Sequence, residues 1–391
     1  MDQRLALGSV GDHELHLRLR FHVGGESGPA GPDHAELAQL LTEHKLQDNR
    51  RREATRAARL GGGQGRRRRF RPRPLKRAPG VQFKFMRPRS HLRNALEYCA
   101  AILVLKSLQW TPRKLAFALA RFYTRLLDLA IPRLRRVARR NLAIALPEFT
   151  PLRHAQIVDG VFRSIARILV TFAKFPAIRR GHLGQWIRLE GGEFFDQARH
   201  AGRGVLVATA HLGNWELSAF AHALMTAPMN VVVRPLDNPL IDALVERRRA
   251  LTGNRPIGKK DFARAILKAL AANQAVGILI DQNASLDTGV FVDFFGVPAS
   301  AGTGFAKFAK HSGAAVIPGF ALWNELEQRY VLRFYPPLEM TGDAVRDTQT
   351  LQSKLEELIR EYPDQWLWIH RRWKTRPPGE TSPYETARPA S

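Results

Sequence analysis

A seven-residue apolar run, Gly204–Ala210, is the feature that most constrains the fold of this chain. Its Val, Leu and Ala content and its bounding glycine are typical of a buried strand. Directly after this run the sequence becomes polar, with His211, then Gly213-Asn214, then the carboxylate of Glu216. Apolar residues at helical spacing follow. A strand, a tight turn and a helix in this order are where α/β folds place their chemistry.

The spacing between His211 and Glu216 predicts how the two side chains meet. On one continuous helix they would be rotated by about 140° and would not face each other. They meet if His211 ends the strand and Glu216 lies in the first helical turn, where the helix dipole favours a negative charge. We therefore predict that Glu216 orients the imidazole and that His211 takes a proton from a substrate hydroxyl. A core histidine beside a helix-terminal carboxylate is the structural alternative.

The turn between these residues supplies further candidate groups. We expect the backbone amides around Leu212–Trp215 to receive a developing oxyanion, which makes Gly213 and Asn214 predicted substrate-binding residues. No serine or cysteine is placed as a nucleophile, since Ser218 follows the glutamate. The hydroxyl must then come from the substrate, which indicates direct acyl transfer to an alcohol.

The string Thr-Ala-His-Leu-Gly-Asn-Trp-Glu (209–216) belongs to a series of blocks. Together they resemble the late acyltransferases of lipid A biosynthesis, membrane enzymes that add secondary acyl chains to lipid A precursors in Gram-negative bacteria. The resemblance extends from Asn94 to Gly379. The other blocks, in order, are Val-Val-Val-Arg-Pro (231–235), Ile-Leu-Ile-Asp-Gln (278–282), Phe-Val-Asp-Phe-Phe-Gly-Val-Pro-Ala (291–299) and Trp-Leu-Trp-Ile-His-Arg-Arg-Trp-Lys-Thr-Arg-Pro (366–377).

This resemblance implies a glycerolipid-acyltransferase-like α/β fold with an N-terminal helical membrane anchor. It also implies transfer of a fatty acyl chain from an acyl-carrier protein thioester to a hydroxyl of a lipid A precursor. The enzyme would lie at the inner membrane with its active site facing the cytoplasm, and neither a cofactor nor a nucleic-acid partner is expected. No metal site is predicted, because His182, His200 and His222 have no partners at metal-ligand spacing. Two alternatives stay open: a related acyltransferase with another phospholipid or glycolipid acceptor, and, more remotely, a basic nucleic-acid-binding protein using residues 66–77.

Two polar residues stand at the ends of other predicted strands. Arg234 follows a Val-rich strand, and its guanidinium suits a phosphate or a carboxylate. A pair with Asp237 or Asp242 is the structural alternative, but the resemblance implies that Arg234 lies in the active-site region. Asp281 is expected to orient the acceptor or Arg234, with a cap or turn as its alternative. The family usually has Asp-Gln-Asp here, whereas this chain has Asn283 at the third position.

The charge balance indicates an anionic partner. The formal net charge is +26, and residues 1–90 carry 20 Lys and Arg against 9 Asp and Glu, so +11 of it lies there. This extension has no helical or strand period around its arginine run, and we predict that it is disordered or precedes the true start, for which Met86 is a candidate. The single cysteine, Cys99, excludes an intramolecular disulfide and is expected to be buried and inert.

Beyond residue 90 the chain divides into an anchor, a catalytic domain and a tail. Two apolar helical stretches predict an anchor over residues 91–135, although the uninterrupted core Tyr98–Leu105 is far shorter than the roughly 20 residues that span a bilayer. Strands alternating with helices over 136–379 predict a mostly parallel central sheet flanked by helices. Residues 380–391 are expected to be a disordered tail.

Two aromatic stretches each allow two interpretations. Residues 291–299, with three phenylalanines, predict either a loop lining an acyl-chain groove or a turn in the core. The cations of residues 370–374 lie beside Trp366, Trp368 and Trp373, and this mixture is typical of an interfacial surface or of a nucleic-acid patch. The resemblance favours the membrane or lipid-phosphate role.

Overall fold

The computed structural model describes residues 90–258 and 261–385. The predicted basic extension and its candidate start at Met86 lie outside these residues, as does the end of the predicted tail. The described strands are β1 (Ile187–Glu190), β2 (Val205–Thr209), β3 (Asn230–Val232), β4 (Arg255–Ile257), β5 (Ala275–Leu279), β6 (Gly289–Phe294), β7 (Val297–Gly302), β8 (Ala315–Asn324) and β9 (Arg329–Phe334).

Ten α-helices are described, and they surround these strands. They are α1 (His91–Trp110), α2 (Arg113–Ala130), α3 (Pro132–Ala145), α4 (Pro151–Lys174), α5 (Gly192–His200), α6 (Trp215–Met225), α7 (Pro239–Arg249), α8 (Phe262–Ala271), α9 (Gly304–Ser312) and α10 (Ala344–Glu361).

The central sheet has the strand order β1-β9-β8-β2-β5-β3-β4, and neighbours run parallel except for the antiparallel pair β8 and β9. Alternate residues of β2 face opposite sides, as the pleat requires. Val205 and Val207 pack into the cluster that contains helices α1, α2 and α4, whereas Leu206 and Ala208 pack against α8 and α9. The prediction of a mostly parallel sheet flanked by helices is confirmed.

The phenylalanine stretch at 291–299 forms a hairpin, β6–β7, instead of a loop. Phe294 and Phe295 are buried, and their rings contact those of Trp366, Trp368 and Trp373. The core interpretation of this stretch is therefore confirmed. The interfacial interpretation of the three tryptophans is wrong, because all three side chains are fully buried.

Helices α1 and α2 pack on the core through one face only. Leu108 and Ala120 are buried on the inner face, whereas large apolar side chains of the outer face are roughly half to three-quarters exposed. None of the helices in the described part of the chain combines the length and apolarity that a bilayer crossing requires. Cys99 lies exposed on α1, so the prediction of a buried thiol is wrong. The exposed apolar side chains of the outer face are Leu92, Leu96, Leu103, Trp110, Leu115, Phe122, Leu126 and Leu129.

At the other end, the structure differs from the predicted disordered tail. Tyr384 packs against the tryptophan cluster, which is formed by Trp366, Trp368 and Trp373. Its hydroxyl accepts a hydrogen bond from the backbone N–H of Trp373 and donates one to Oδ1 of Asn141 on α3. Residues 386–391 lie outside the described part.

The hairpin core predicts a large stability difference between two substitutions. Phe294→Ala removes a fully buried ring from the tryptophan cluster, and we expect the free energy of unfolding to fall by about 3–5 kcal/mol. Leu326→Ala, at a side chain that is 97% exposed, serves as the control and should change it by less than about 0.5 kcal/mol. Urea unfolding followed by tryptophan fluorescence measures both, and equal values would contradict this view of the hairpin.

Candidate active site

The parallel pairing of β2 and β5 brings His211 and Asp281 together. The strands pair with Thr209 opposite Leu279, and continuing this register by two residues places His211 opposite Asp281. Imidazole Nδ1 of His211 lies 2.9 Å from Oδ1 of Asp281, and the backbone N–H of His211 donates to Oδ2 at 3.0 Å. Asp281 therefore orients His211, a role that the sequence assigned to Glu216.

Asp281 is fully buried, so its charge needs compensation from its surroundings. Burial alone would raise the pKa of this carboxyl, but the neighbouring His211 and the hydrogen bonds that Oδ1 and Oδ2 accept hold the pKa well below its usual range. The third donor is Nε1–H of Trp366, at 3.0 Å from Oδ2. The carboxylate is thus ionised and held on both oxygens.

The charge and hydrogen bond of Asp281 change the pKa of the His211 imidazole. Burial alone would lower its pKa, but the charge and hydrogen bond of Asp281, with a smaller contribution from Glu216, raise the pKa above its ordinary value. Because Nδ1–H donates to an ionised carboxylate, Nε2 keeps the lone pair and can accept a proton. The ring also contacts the Trp215 ring edge-to-face, with centroids 4.8 Å apart. These contacts fix both the tautomer and the orientation of the ring.

Glu216 lies in the first turn of α6, as predicted, but its hydrogen-bond partner is Arg249 at the end of α7. The guanidinium Nε and Nη2 of Arg249 lie 2.9 and 2.5 Å from the two carboxylate oxygens. Such a two-pronged pair is among the stronger charged contacts in proteins. Glu216 therefore acts on His211 through its charge, without the hydrogen bond that the sequence predicted.

The backbone N–H groups of the turn at Gly213-Asn214 are hydrogen-bonded within the protein, so the turn has a structural role. Gly213 has φ +66°, and a Cβ there would lie 2.0 Å from the carbonyl oxygen of Ala321. Its N–H donates to Gln365 O, and the N–H of Asn214 donates to Ala321 O. The Asn214 side chain is fully buried and caps α6 by accepting from Leu217 N. The prediction that Gly213 and Asn214 bind substrate through free amides is therefore wrong.

The segment around Trp366 forms the second support of the site. The N–H of Leu367 donates to the carbonyl of His211, and the N–H of Gly213 donates to the carbonyl of Gln365. This segment therefore forms a short antiparallel bridge with the turn that follows β2. The sequence contains no local signal for this pairing, since more than 150 residues separate the two segments. The sequence predicted an interfacial position for Trp366 and gave no indication of Arg249, whereas the structure places Trp366 on Asp281 and Arg249 on Glu216.

A pocket of about 420 Å³ opens beside the imidazole. His211, Glu216 and Arg249 lie on its wall, together with Arg234, whose side chain is exposed and forms no ion pair with another described residue. The structural alternative for Arg234, a pair with Asp237 or Asp242, is thus absent from the described ion pairs. The apolar part of the lining is formed by Trp215, Ala219, Phe220, Val231, Val232, Val233, Leu236 and Leu279.

This arrangement suits proton transfer at a substrate bound in an amphipathic pocket. The described lining contains no serine, threonine or cysteine that could serve as a nucleophile. Arg234 places an exposed guanidinium at the wall of the pocket, and a guanidinium is a suitable partner for an anionic group. Among the described residues, no three His, Cys, Asp or Glu side chains lie close enough together to bind a metal ion.

The pairing predicts how the pKa of His211 depends on each carboxylate. In Asp281→Asn the negative charge is lost, burial dominates, and we expect the pKa of His211 to fall below the ordinary value of about 6.5. Glu216→Gln should lower it less, because Glu216 acts through charge alone. A histidine NMR titration of wild type and both variants measures the two shifts. An unchanged pKa in Asp281→Asn would contradict the assignment.

Comparison with known proteins identifies the family. The sequence model of the bacterial lipid A biosynthesis acyltransferases matches residues 82–375. The lipid A biosynthesis palmitoleoyltransferase of Escherichia coli K12 is 31% identical over 268 residues, which cover 67% of this chain and 86% of that protein. The lipid A biosynthesis lauroyltransferase of the same strain is 30% identical over 254 residues, 64% of this chain and 82% of its own length.

A third relative comes from another organism. A lipid A biosynthesis acyltransferase of Haemophilus influenzae Rd is 26% identical over 245 residues, which cover 62% of this chain and 76% of the relative. In all three relatives the match spans three-quarters or more of the protein, and the family match includes both segments that build the His211–Asp281 pair. The chain therefore belongs to the bacterial lipid A biosynthesis acyltransferase family, and it is an acyltransferase.

Proposed function

We propose that this enzyme transfers a fatty acyl chain directly from a carrier thioester to a hydroxyl of a lipid A precursor. What most supports this function is the hydrogen bond between His211 Nδ1 and buried Asp281, which leaves Nε2 free beside an amphipathic pocket. The acceptor is inferred from the family, whose relatives are named for lipid A biosynthesis.

The reaction proceeds without an acyl-enzyme. Nε2 of His211 takes the proton of the acceptor hydroxyl while its oxygen forms a bond to the thioester carbonyl carbon. The tetrahedral intermediate then breaks its carbon–sulfur bond, and the departing thiolate takes the proton from the imidazolium, so that an ester and a free thiol result. General base catalysis of this kind contributes typically about 10²–10⁴-fold. Asp281 keeps the imidazole in the required tautomer and stabilises the imidazolium.

The remaining charges of the pocket have separate roles. Arg234 binds either the oxyanion or an anionic group of the substrate. Glu216 stabilises the imidazolium by its charge, and its ion pair with Arg249 holds the carboxylate at the wall of the pocket. The apolar lining receives the first part of an acyl chain.

For the donor we infer an acyl-carrier protein. Such a carrier is acidic, and the part of this chain beyond residue 90 has a formal net charge of +15. Opposite net charges favour encounter between the two proteins at low salt.

The enzyme is proposed to lie on the cytoplasmic side of the inner membrane. The outer face of α1 and α2 exposes apolar side chains such as Leu103, Trp110 and Phe122, and arginines follow it along α3. An apolar stripe with flanking arginines is typical of helices that lie in a membrane interface. Asn238, at the start of α7, donates to Asn94 O, which links α1 to the loop that carries Arg234.

The central test is acyl transfer in membranes from cells expressing wild type, His211→Ala, Asp281→Asn or Glu216→Gln. Labelled acyl-carrier protein and a lipid A precursor are the substrates. We expect losses of about 10²–10⁴-fold for the first two variants, because each removes the oriented base. Glu216→Gln should lose less, since it leaves the hydrogen bond of His211 intact. His182→Ala, an exposed histidine outside the pocket, is the matched control and should keep full activity.

Each outcome of that assay separates one part of the proposal. If wild type acylates total lipid extract but not the precursor, another phospholipid or glycolipid is the acceptor. If acyl-coenzyme A serves equally well as donor, the carrier assignment fails. Full activity in His211→Ala would overturn the mechanism.

The pH dependence of kcat/KM follows from the raised pKa of His211. The neutral imidazole is the active form, so activity falls as the pH drops through this pKa. Because Asp281 raises it, the acidic limb of wild type should lie above pH 6.5, the ordinary histidine value. The residual activity of Asp281→Asn should show this limb at lower pH. An unshifted limb would mean that another group titrates there.

A further inference from the structure

A second cleft, of about 500 Å³, lies at the corner where α2 ends and α3 begins. Its lining is mostly charged and contains four arginines and two aspartates. It shares no lining residue with the pocket beside His211. The four arginines and two aspartates are Arg125, Arg135, Arg136, Arg139, Asp128 and Asp159.

Both aspartates form ion pairs with the same arginine, and the four arginines and two aspartates together give the cleft a formal net charge of +2. Arg135 donates from Nε to both carboxylate oxygens of Asp128, at 2.9 and 3.0 Å, and from Nη2 to Asp159 at 2.7 Å. Arg125, Arg136 and Arg139 are exposed and form no ion pair with another described residue. Arg135 and the two aspartates therefore form one wall of the cleft with a net charge of −1, and the three unpaired guanidinium groups outweigh it and leave an excess of +2 for an anion.

The cleft borders the exposed apolar face of α2. Leu129 lies in its lining, and Leu126 and Ile131 on either side of it are 47% and 44% exposed. A soluble phosphate ion has no apolar group to contact these side chains, whereas a membrane lipid carries a phosphate and hydrocarbon chains in one molecule. The arrangement of basic groups beside an apolar stripe matches the boundary between headgroups and acyl chains.

We propose that the corner of α2 and α3 binds the phosphate of an anionic phospholipid, with Arg125, Arg136 and Arg139 as its ligands and Leu126, Leu129 and Ile131 in the acyl region. This site deepens the membrane attachment proposed above and rests on it. It is separate from the acceptor site, so the lipid bound there orients the enzyme on the membrane and is not consumed.

Flotation of the full-length protein with vesicles tests the proposal. Vesicles of phosphatidylcholine alone are compared with vesicles that also contain phosphatidylglycerol. In Arg125→Gln/Arg136→Gln/Arg139→Gln we expect affinity for the anionic vesicles to fall by about fivefold per arginine, roughly a hundredfold in total. Affinity for neutral vesicles should stay unchanged.

A matched triple variant controls for net charge. Arg264→Gln/Lys307→Gln/Lys310→Gln removes the same number of exposed cations from α8 and α9, which pack on the opposite face of the sheet. It should lose less than threefold. Equal losses in the two triple variants, or no loss in either, would overturn the site. Binding of inorganic phosphate alone by wild type as tight as its binding to anionic vesicles, at constant ionic strength, would overturn a lipid as the ligand.

Acyl transfer in detergent separates this site from catalysis. The arginine variant should transfer acyl chains at the wild-type rate in micelles, whereas His211→Ala should lose transfer and keep its vesicle binding. Loss of transfer by the arginine variant in micelles would place the cleft within the catalytic machinery and overturn a separate site. If wild type transfers no acyl chain at all, the proposed reaction fails while the vesicle result stands.

Discussion

A buried negative charge determines how the rest of this site is arranged. Asp281 has no exposed surface, and it stays ionised because three N–H groups, from the His211 backbone, the His211 ring and Trp366, donate to its two oxygens. Removing any of them leaves a buried charge incompletely paired, which costs far more than one surface hydrogen bond contributes. The carboxylate therefore requires two neighbouring parallel strands and the Trp366 segment to hold one fixed relative position.

The sequence predicted secondary structure best where one continuous segment has a clear hydrophobic pattern. The apolar run before His211 predicts β2, and similar runs predict β5 and β8, because buried parallel strands have little need of polar residues. The short strand β4 and the hairpin β6–β7 were missed. Their residues include prolines and glycines, which favour turns in isolation, and their extended form depends on tertiary pairing.

The same limit explains the error at Glu216. Its spacing from His211 is visible in the sequence, whereas the neighbours of a strand end depend on strand order. His211 and Asp281 each follow an apolar run, so a parallel alignment of the two strands was available as a signal for their contact. Nothing in the sequence around Arg249 distinguishes it from the arginines beside it. Its ion pair with Glu216 depends on how α7 packs near α6.

The bridge between the catalytic turn and Gln365–Leu367 has a consequence for the order of events during synthesis. Helices α1 and α2 leave the ribosome early, whereas Trp366 is among the last of the described residues to emerge. Until it does, Asp281 lacks one of its three donors and the turn at Gly213 lacks its backbone partner. The hydrogen bonds that hold the His211–Asp281 pair are therefore completed only when nearly all of the described chain has been synthesised, long after the residues of α1 and α2.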